Sequence, residues 1–484
     1  MKYPTTATLA AALRARRVSA VELLDHSVER IRNGDARLNA VVVRDFERAR
    51  LAAIAADEAL ARGEPGALLG VPMTVKESFN VAGLATTWGI AGSPAAPAQN
   101  DAVAVARLKN AGAIILGKTN VPTNLGDLQT VNPRYGLTRN PWNLARTPGG
   151  SSGGAAAALA ADFVSLELGS DLGGSLRFPA HCCGVFAHKP THGLVPTRGH
   201  APPGTPELSV GTDPDLAVVG PMARCASDLT LAFDVLAGPD EAQAIGYRLS
   251  LPAARHTRLS DFRVLVLEEH PAVPLSSEVR SSLNRLAENL RQAGCLVERS
   301  SPLLPDLGVA SDTFAMLLLS YIGAGLPEPA YEALRSHSAR MPEGADPGAS
   351  QRLRALVASH REWVRADRVR THLSHQWRQL FRTIDVVICP VLPTTAFAHD
   401  SAEMEQRRID IDGRSIPYAA QGAWCGLATG CGLPATAMPI GVGASGLPVG
   451  IQIIGPYLED RSTLAFAELA EREFGGFTPP PDYA

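Results

Sequence analysis

Between residues 69 and 270 short apolar runs alternate with helical stretches, and this alternation limits what the chain can fold into more than any other feature. GVPMTV closes at Val75, AIIL spans 113 to 116, FVSLELG spans 163 to 169 and FRVLVLEE spans 262 to 269. Runs this short, separated by helix-forming segments, read as buried strands of an α/β sheet whose strand ends carry function. The helical signals are equally local. Ser19 and Glu22 have the spacing of a capping box, after which Val21, Leu24, Val28 and Ile31 recur at helical intervals. Leu51 to Arg62 is an alanine-rich helical run, and Val279, Leu283, Leu286 and Leu290 mark an amphipathic helix closed at Gly294 before a strand, CLVE.

Residues 305 to 382 break the alternation, being helical, charged and richer in His and Trp, and VVICP at 386 to 390 restores it. The middle block is therefore expected to be a variable, mainly helical cap within a single domain spanning 1–484. Pro- and Gly-rich stretches near 201 to 214 and 341 to 349 read as loops.

Composition excludes several classes of function. The 484 residues are 45% hydrophobic and 19% charged with a net charge of −3, and no run of five or more like charges occurs, so a nucleic-acid partner is not expected. The first residues lack the apolar core of a signal peptide, and the longest apolar candidate, Phe314 to Leu326, is interrupted by Ser320 and Tyr321. A cytoplasmic protein without stable membrane insertion is expected. Seven cysteines without a C-x-x-C pair read as free thiols. Cys182, Cys183, His188 and His192 do not make a metal site, because Pro190 breaks the helix that an i, i+4 histidine pair would need.

Three motif matches need their context. GAIILGKT at 112 to 119 has Walker spacing, but its interior residues are those of a strand and not of a phosphate-wrapping loop. GVGASG at 441 to 446 is followed by Pro448 and strand-like residues, where a dinucleotide site requires a helix. GGSSG at 149 to 153 matches G-x-S-x-G and would make Ser151 an elbow nucleophile, yet the preceding RNPWNLARTP is loop chemistry.

A second serine, Ser175, lies in GSDLGGSLRFP at 169 to 179 with no accompanying histidine motif. Together with Lys76 after its apolar strand and the serine-glycine loop at 149 to 154, this stretch resembles the amidase signature family. Ser151 precedes Ser175 by 24 residues and Lys76 precedes Ser151 by 75, as that family places them. AGAIILGKTNVP at 111 to 122, VGPMARCASDL at 219 to 229 and GLPVGIQIIGP at 446 to 456 extend the resemblance over nearly the whole chain.

The resemblance implies a large mixed twisted sheet flanked by helices and an amidohydrolase that needs no cofactor. It also implies that Ser175 attacks the carbonyl, that Ser151, preceded by a cis peptide bond, relays the proton, and that Lys76 accepts it. A serine hydroxyl needs such a base, and a lysine serves when burial keeps it neutral. The amides of Leu172, Gly173, Gly174 and Ser175 are the expected oxyanion donors. Ser152 and Ser170 are expected to support the lysine or relay, and Leu125 to offer its carbonyl to the leaving amine. Asp171 and Arg177 flank the loop as an expected ion pair.

Within the family, the amidotransferase subunit that releases ammonia from glutamine usually has glutamine at the place of Phe178 and threonine at that of Leu172. Both departures point to apolar or aryl amides, with esters and carbamates open to the same route. The expected partner is a small amide substrate, and the expected state a monomer or homodimer. The alternatives are the glutamine-hydrolysing subunit itself and an α/β-hydrolase-like esterase using Ser151.

Overall fold

The computed structural model describes residues 4–205, 214–341 and 347–483. Residues 206–213, the larger part of the first expected loop, and 342–346 lie outside the described residues, and a helix begins at Pro347 inside the second expected loop.

Eleven strands form one mixed sheet. In spatial order they are 41–44, 114–119, 72–76, 166–171, 218–223, 186–189, 435–442, 448–454, 386–390, 263–266 and 296–298. The strand Pro72–Lys76 runs parallel to both of its neighbours, Ile114–Thr119 and Leu166–Asp171. The remainder of the sheet is mixed, with antiparallel pairs through the centre and two parallel pairs at the far edge.

Alternation along each strand sends side chains to two helical layers. Met73, Val75, Leu166 and Leu168 face a core shared with Leu108, Phe233, Leu283 and Phe466. Ile114, Leu116 and Met222 face the opposite core, shared with Leu24, Ile31, Ala53 and Ala157. Each apolar run read as a strand is one, and the Ser19–Glu22 capping box is formed at the start of Ala20–Leu38.

The described part of the block 305–382 holds four helices, Leu307–Ala324, Glu328–Ala339, Pro347–Leu356 and His360–Leu380. The first starts seven residues earlier than the apolar run beginning at Phe314, and at 18 residues it is long and apolar enough to cross a membrane. Phe314 and Leu317 on it are nonetheless buried against this protein's own elements, and a Cβ on Gly426 would lie 2.5 Å from the Phe314 ring.

One helix sets the depth of the functional region. Gly153–Ala160 is buried on every side, so only Gly, Ala and a single Leu fit along it. Ala157→Leu adds volume with nowhere to go, and we expect it to destabilise the protein by about 1–3 kcal/mol or more, read as a lowered Tm by thermal denaturation.

Candidate active site

Lys76 and Asp171 are the last residues of two adjacent parallel strands, Pro72–Lys76 and Leu166–Asp171. Because Met73 and Val75 fill one core, the alternating position of Lys76 turns its side chain to the other face, toward the start of the Gly153–Ala160 helix. The amine is completely buried. Its Nζ lies 2.7 Å from Ser151 Oγ and 2.9 Å from Ser170 Oγ.

Burial lowers the Lys76 pKa to about 7, against the opposite pull of Asp171 and Glu167. Neutral near physiological pH, the amine has a lone pair to take a proton from the Ser151 hydroxyl while its own hydrogens go to Ser170. Glu167, on the neighbouring strand, is raised by burial to about 8 and is therefore largely uncharged at the same pH. Sequence reading missed this carboxyl, although its place within FVSLELG, between two buried leucines, was the available signal.

The Gly150–Ser151 peptide bond is cis, as the resemblance implies. A Cβ on Gly150 would collide with the carbonyl oxygen of Asp127, so the turn sits directly on the 127–129 backbone. Ser151 is 1% exposed, and its turn follows a loop and no strand, which leaves it poorly placed as an elbow nucleophile. Ser175 is half-buried and lines a cavity of about 320 Å³. Among the described residues Ser152 has no hydrogen bond to Lys76 or to the Ser151 hydroxyl. Its N–H donates to the Ser175 carbonyl at 3.1 Å and its Oγ to the Ser170 carbonyl at 3.4 Å, stitching the two serine loops together.

Asp171 organises the loop that carries Ser175. Its two carboxylate oxygens accept the N–H groups of Gly174 at 2.7 Å and Leu176 at 3.1 Å, one on each side of Ser175. Arg177 grips the same carboxylate with two nitrogens at 3.0 Å and is anchored in turn by Gln452, Thr429 and the Cys425 carbonyl. Although burial pushes the Asp171 carboxyl up, the Arg177 guanidinium holds it below the usual carboxylate range.

This geometry corrects one expected oxyanion donor. The Gly174 N–H is committed to Asp171, which leaves Leu172, Gly173 and Ser175 as the candidates. Gly174 itself has φ +121°, and a Cβ there would run into the Phe178 ring. Phe178 is thus both a support for the loop and part of the cavity wall.

Leu125, in a left-handed conformation at φ 57°, lines the same cavity with Leu128, Leu172, Phe314, Leu318 and Met404. Three charged residues also reach it: Asp127, Asp312 and Arg352. The motifs set aside by their context lie elsewhere. Lys118 of the Walker-like run is inside the strand Ile114–Thr119, its Nζ donating to the Ala85 carbonyl at 2.6 Å, and GVGASG joins the antiparallel strands Ala435–Val442 and Pro448–Ile454.

Comparison with known proteins gives a consistent picture. The Amidase family model matches residues 22–464. The A-type subunit of the Glutamyl-tRNA(Gln) amidotransferase of Roseiflexus castenholzii is 32% identical, over 99% of this chain and 98% of that protein. Among solved structures, a bacterial aryl acylamidase of the amidase signature family superposes with a TM-score of 0.79 at 25% identity, covering 98% of this chain and 96% of its own. A chain from a vestigial protein complex that reveals the origins of an s-triazine catabolic enzyme superposes at 0.80 with 29% identity, covering 98% and 99%.

The electrostatics of Lys76 set the expected pH dependence. If its neutral form is the base, kcat/KM rises with pH through an apparent pKa near 7, and Lys76→Ala costs on the order of 10²- to 10⁴-fold. Asp171 raises the lysine pKa, so Asp171→Asn should move that limb to lower pH while lowering the Tm, since Arg177 is left buried without its anion. A limb unmoved in a folded Asp171→Asn protein contradicts the assignment of that limb to Lys76.

Proposed function

The chain belongs to the amidase signature family of amide C–N bond-cleaving enzymes, and on that premise we propose that it hydrolyses amides with an apolar or aryl acyl group. The observation that carries this reading is the cavity above Ser175, whose wall is made largely of Leu125, Leu128, Leu172, Phe178, Phe314 and Leu318. Such a surface binds by removal of apolar area from water and offers few groups to a polar acyl chain.

In this reading Ser175 Oγ attacks the carbonyl carbon while its proton passes to Ser151, whose own proton moves to Lys76. The tetrahedral oxyanion is held by the N–H groups of Leu172, Gly173 and Ser175, which have no partner among the described residues. Return of the proton through Ser151 to the nitrogen releases the amine, with the Leu125 carbonyl available to it. Water then attacks the acyl-enzyme by the same relay, releasing the acid and restoring Ser175. Esters and carbamates enter the same sequence.

A second reading has support of its own. The sequence relatives are named for a tRNA amidotransferase and favour a glutamine-hydrolysing role. Asp312 and Arg352 line the cavity with opposite charges, as the α-ammonium and α-carboxylate of an amino-acid amide would require. That role would call for further protein partners.

The purified chain separates the two readings. Under the first, it cleaves apolar p-nitroanilides alone, activity disappears in Ser175→Ala, and a fluorophosphonate labels Ser175. Glutamine cleavage lost in Arg352→Ala, with apolar anilides untouched, would establish the second in its place. Labelling confined to Ser151 would overturn both.

A further inference from the structure

Asp127 is a carboxylate in the wall of a mainly apolar cavity, yet both of its oxygens are already engaged. Oδ1 accepts the Tyr418 hydroxyl at 2.6 Å and Oδ2 accepts Arg407 Nη1 at 2.6 Å. The guanidinium also lies over the Tyr418 ring, 5.3 Å from its centroid, and donates from Nε to the Ala402 carbonyl at 2.7 Å. Burial and the neighbouring carboxylate both push the Tyr418 pKa up, so the phenol stays protonated and keeps donating.

On its other side the same segment carries the relay turn. The Asp127 carbonyl is the atom that a side chain on Gly150 would strike, and Thr130 Oγ1 donates to the Gly149 carbonyl at 2.8 Å. A second tie comes from the same distant part of the chain, since the Thr147 N–H donates to the Phe397 carbonyl and the Phe397 ring packs edge-on against Tyr418. The turn 149–151 is therefore seated on a ledge fixed by side chains some 280 residues away.

We propose that Asp127, gripped by Tyr418 and Arg407, is a positioning residue that fixes the relay turn bearing Ser151 against Lys76. The inference rests on the reading of Ser151 as proton relay. A half-buried charge with both oxygens engaged holds one geometry and few others, and an angstrom of error in such a relay costs rate rather than binding. Asp127 does not touch the reacting atoms in this scheme. It acts through the backbone that Gly150 rests on.

The test is steady-state kinetics of Asp127→Ala, Asp127→Asn, Tyr418→Phe and Ser151→Ala on the best amide substrate, with thermal melts to establish folding. Asp127→Ala should lower kcat roughly 10- to 100-fold, as expected when a hydrogen-bonded charged partner is lost, with KM within about threefold. Asp127→Asn, which still accepts from Tyr418, should recover part of that loss, and it also serves if the alanine variant fails to fold. Tyr418→Phe combined with Asp127→Asn should fall short of the product of the two single effects, because the two groups act through one network.

Unchanged kcat in a folded Asp127→Asn protein overturns the proposal. So does a raised KM at unchanged kcat, which would make Asp127 a substrate contact. Should Ser151→Ala retain full activity, the relay reading itself fails, and that outcome is distinct from any result at Asp127.

Discussion

The buried amine of Lys76 is the constraint on which the rest of the site depends. Lowering a lysine pKa from 10.5 to about 7 corresponds to on the order of 5 kcal/mol against the charged form. Water exclusion supplies that penalty and outweighs the opposite pull of Asp171 and Glu167. Asp171, next along the strand from Ser170, has its charge met by Arg177 in a pair that is entirely inaccessible to solvent. Glu167 is handled differently, by being raised toward neutrality. Under the proposed reading the lysine is available as a base because its burial outweighs the pull of both carboxylates.

That sorting of charge also shapes the nucleophile loop. Asp171 is needed by Arg177, and with its remaining lone pairs it draws in the amides of Gly174 and Leu176 on either side of Ser175. The serine is presented at the bend between them. The Gly174 N–H is therefore committed to Asp171, and the candidate oxyanion donors are those that the bend leaves unoccupied. One ion pair contributes to the presentation of Ser175 and to the direction of the amides beside it.

Much of this was legible in the sequence because the chemistry is concentrated in short runs. GSDLGGSLRFP carries the candidate nucleophile, the ion pair and the bend within eleven residues, and Lys76 ends the apolar strand that positions it. Where geometry joins distant segments, nothing in the sequence marks it. Asp127 meets Arg407 and Tyr418 only after the sheet has brought them together. The strand Val218–Ala223 was obscured by Pro221, a residue uncommon inside a sheet, which here sits opposite Leu168. The donor at Gly174 was misassigned because a pair of glycines says that the backbone bends, without saying which amide the bend turns inward.

Phe178 shows how far specificity and catalysis share parts here. Its ring fills the space above Gly174, where no side chain fits, and the same ring is cavity wall. A polar residue at 178 would gain a hydrogen-bonding group for the acyl chain and lose the surface that keeps the Gly174 bend in place. Leu172 has the same double position, its amide a candidate oxyanion donor and its side chain part of the wall. Under the proposed reading, acyl preference is therefore written partly on the loop that carries Ser175. A change of substrate class made there must be matched by new support for the loop, whereas changes on the Leu307–Ala324 helix across the cavity leave the nucleophile and its base in place.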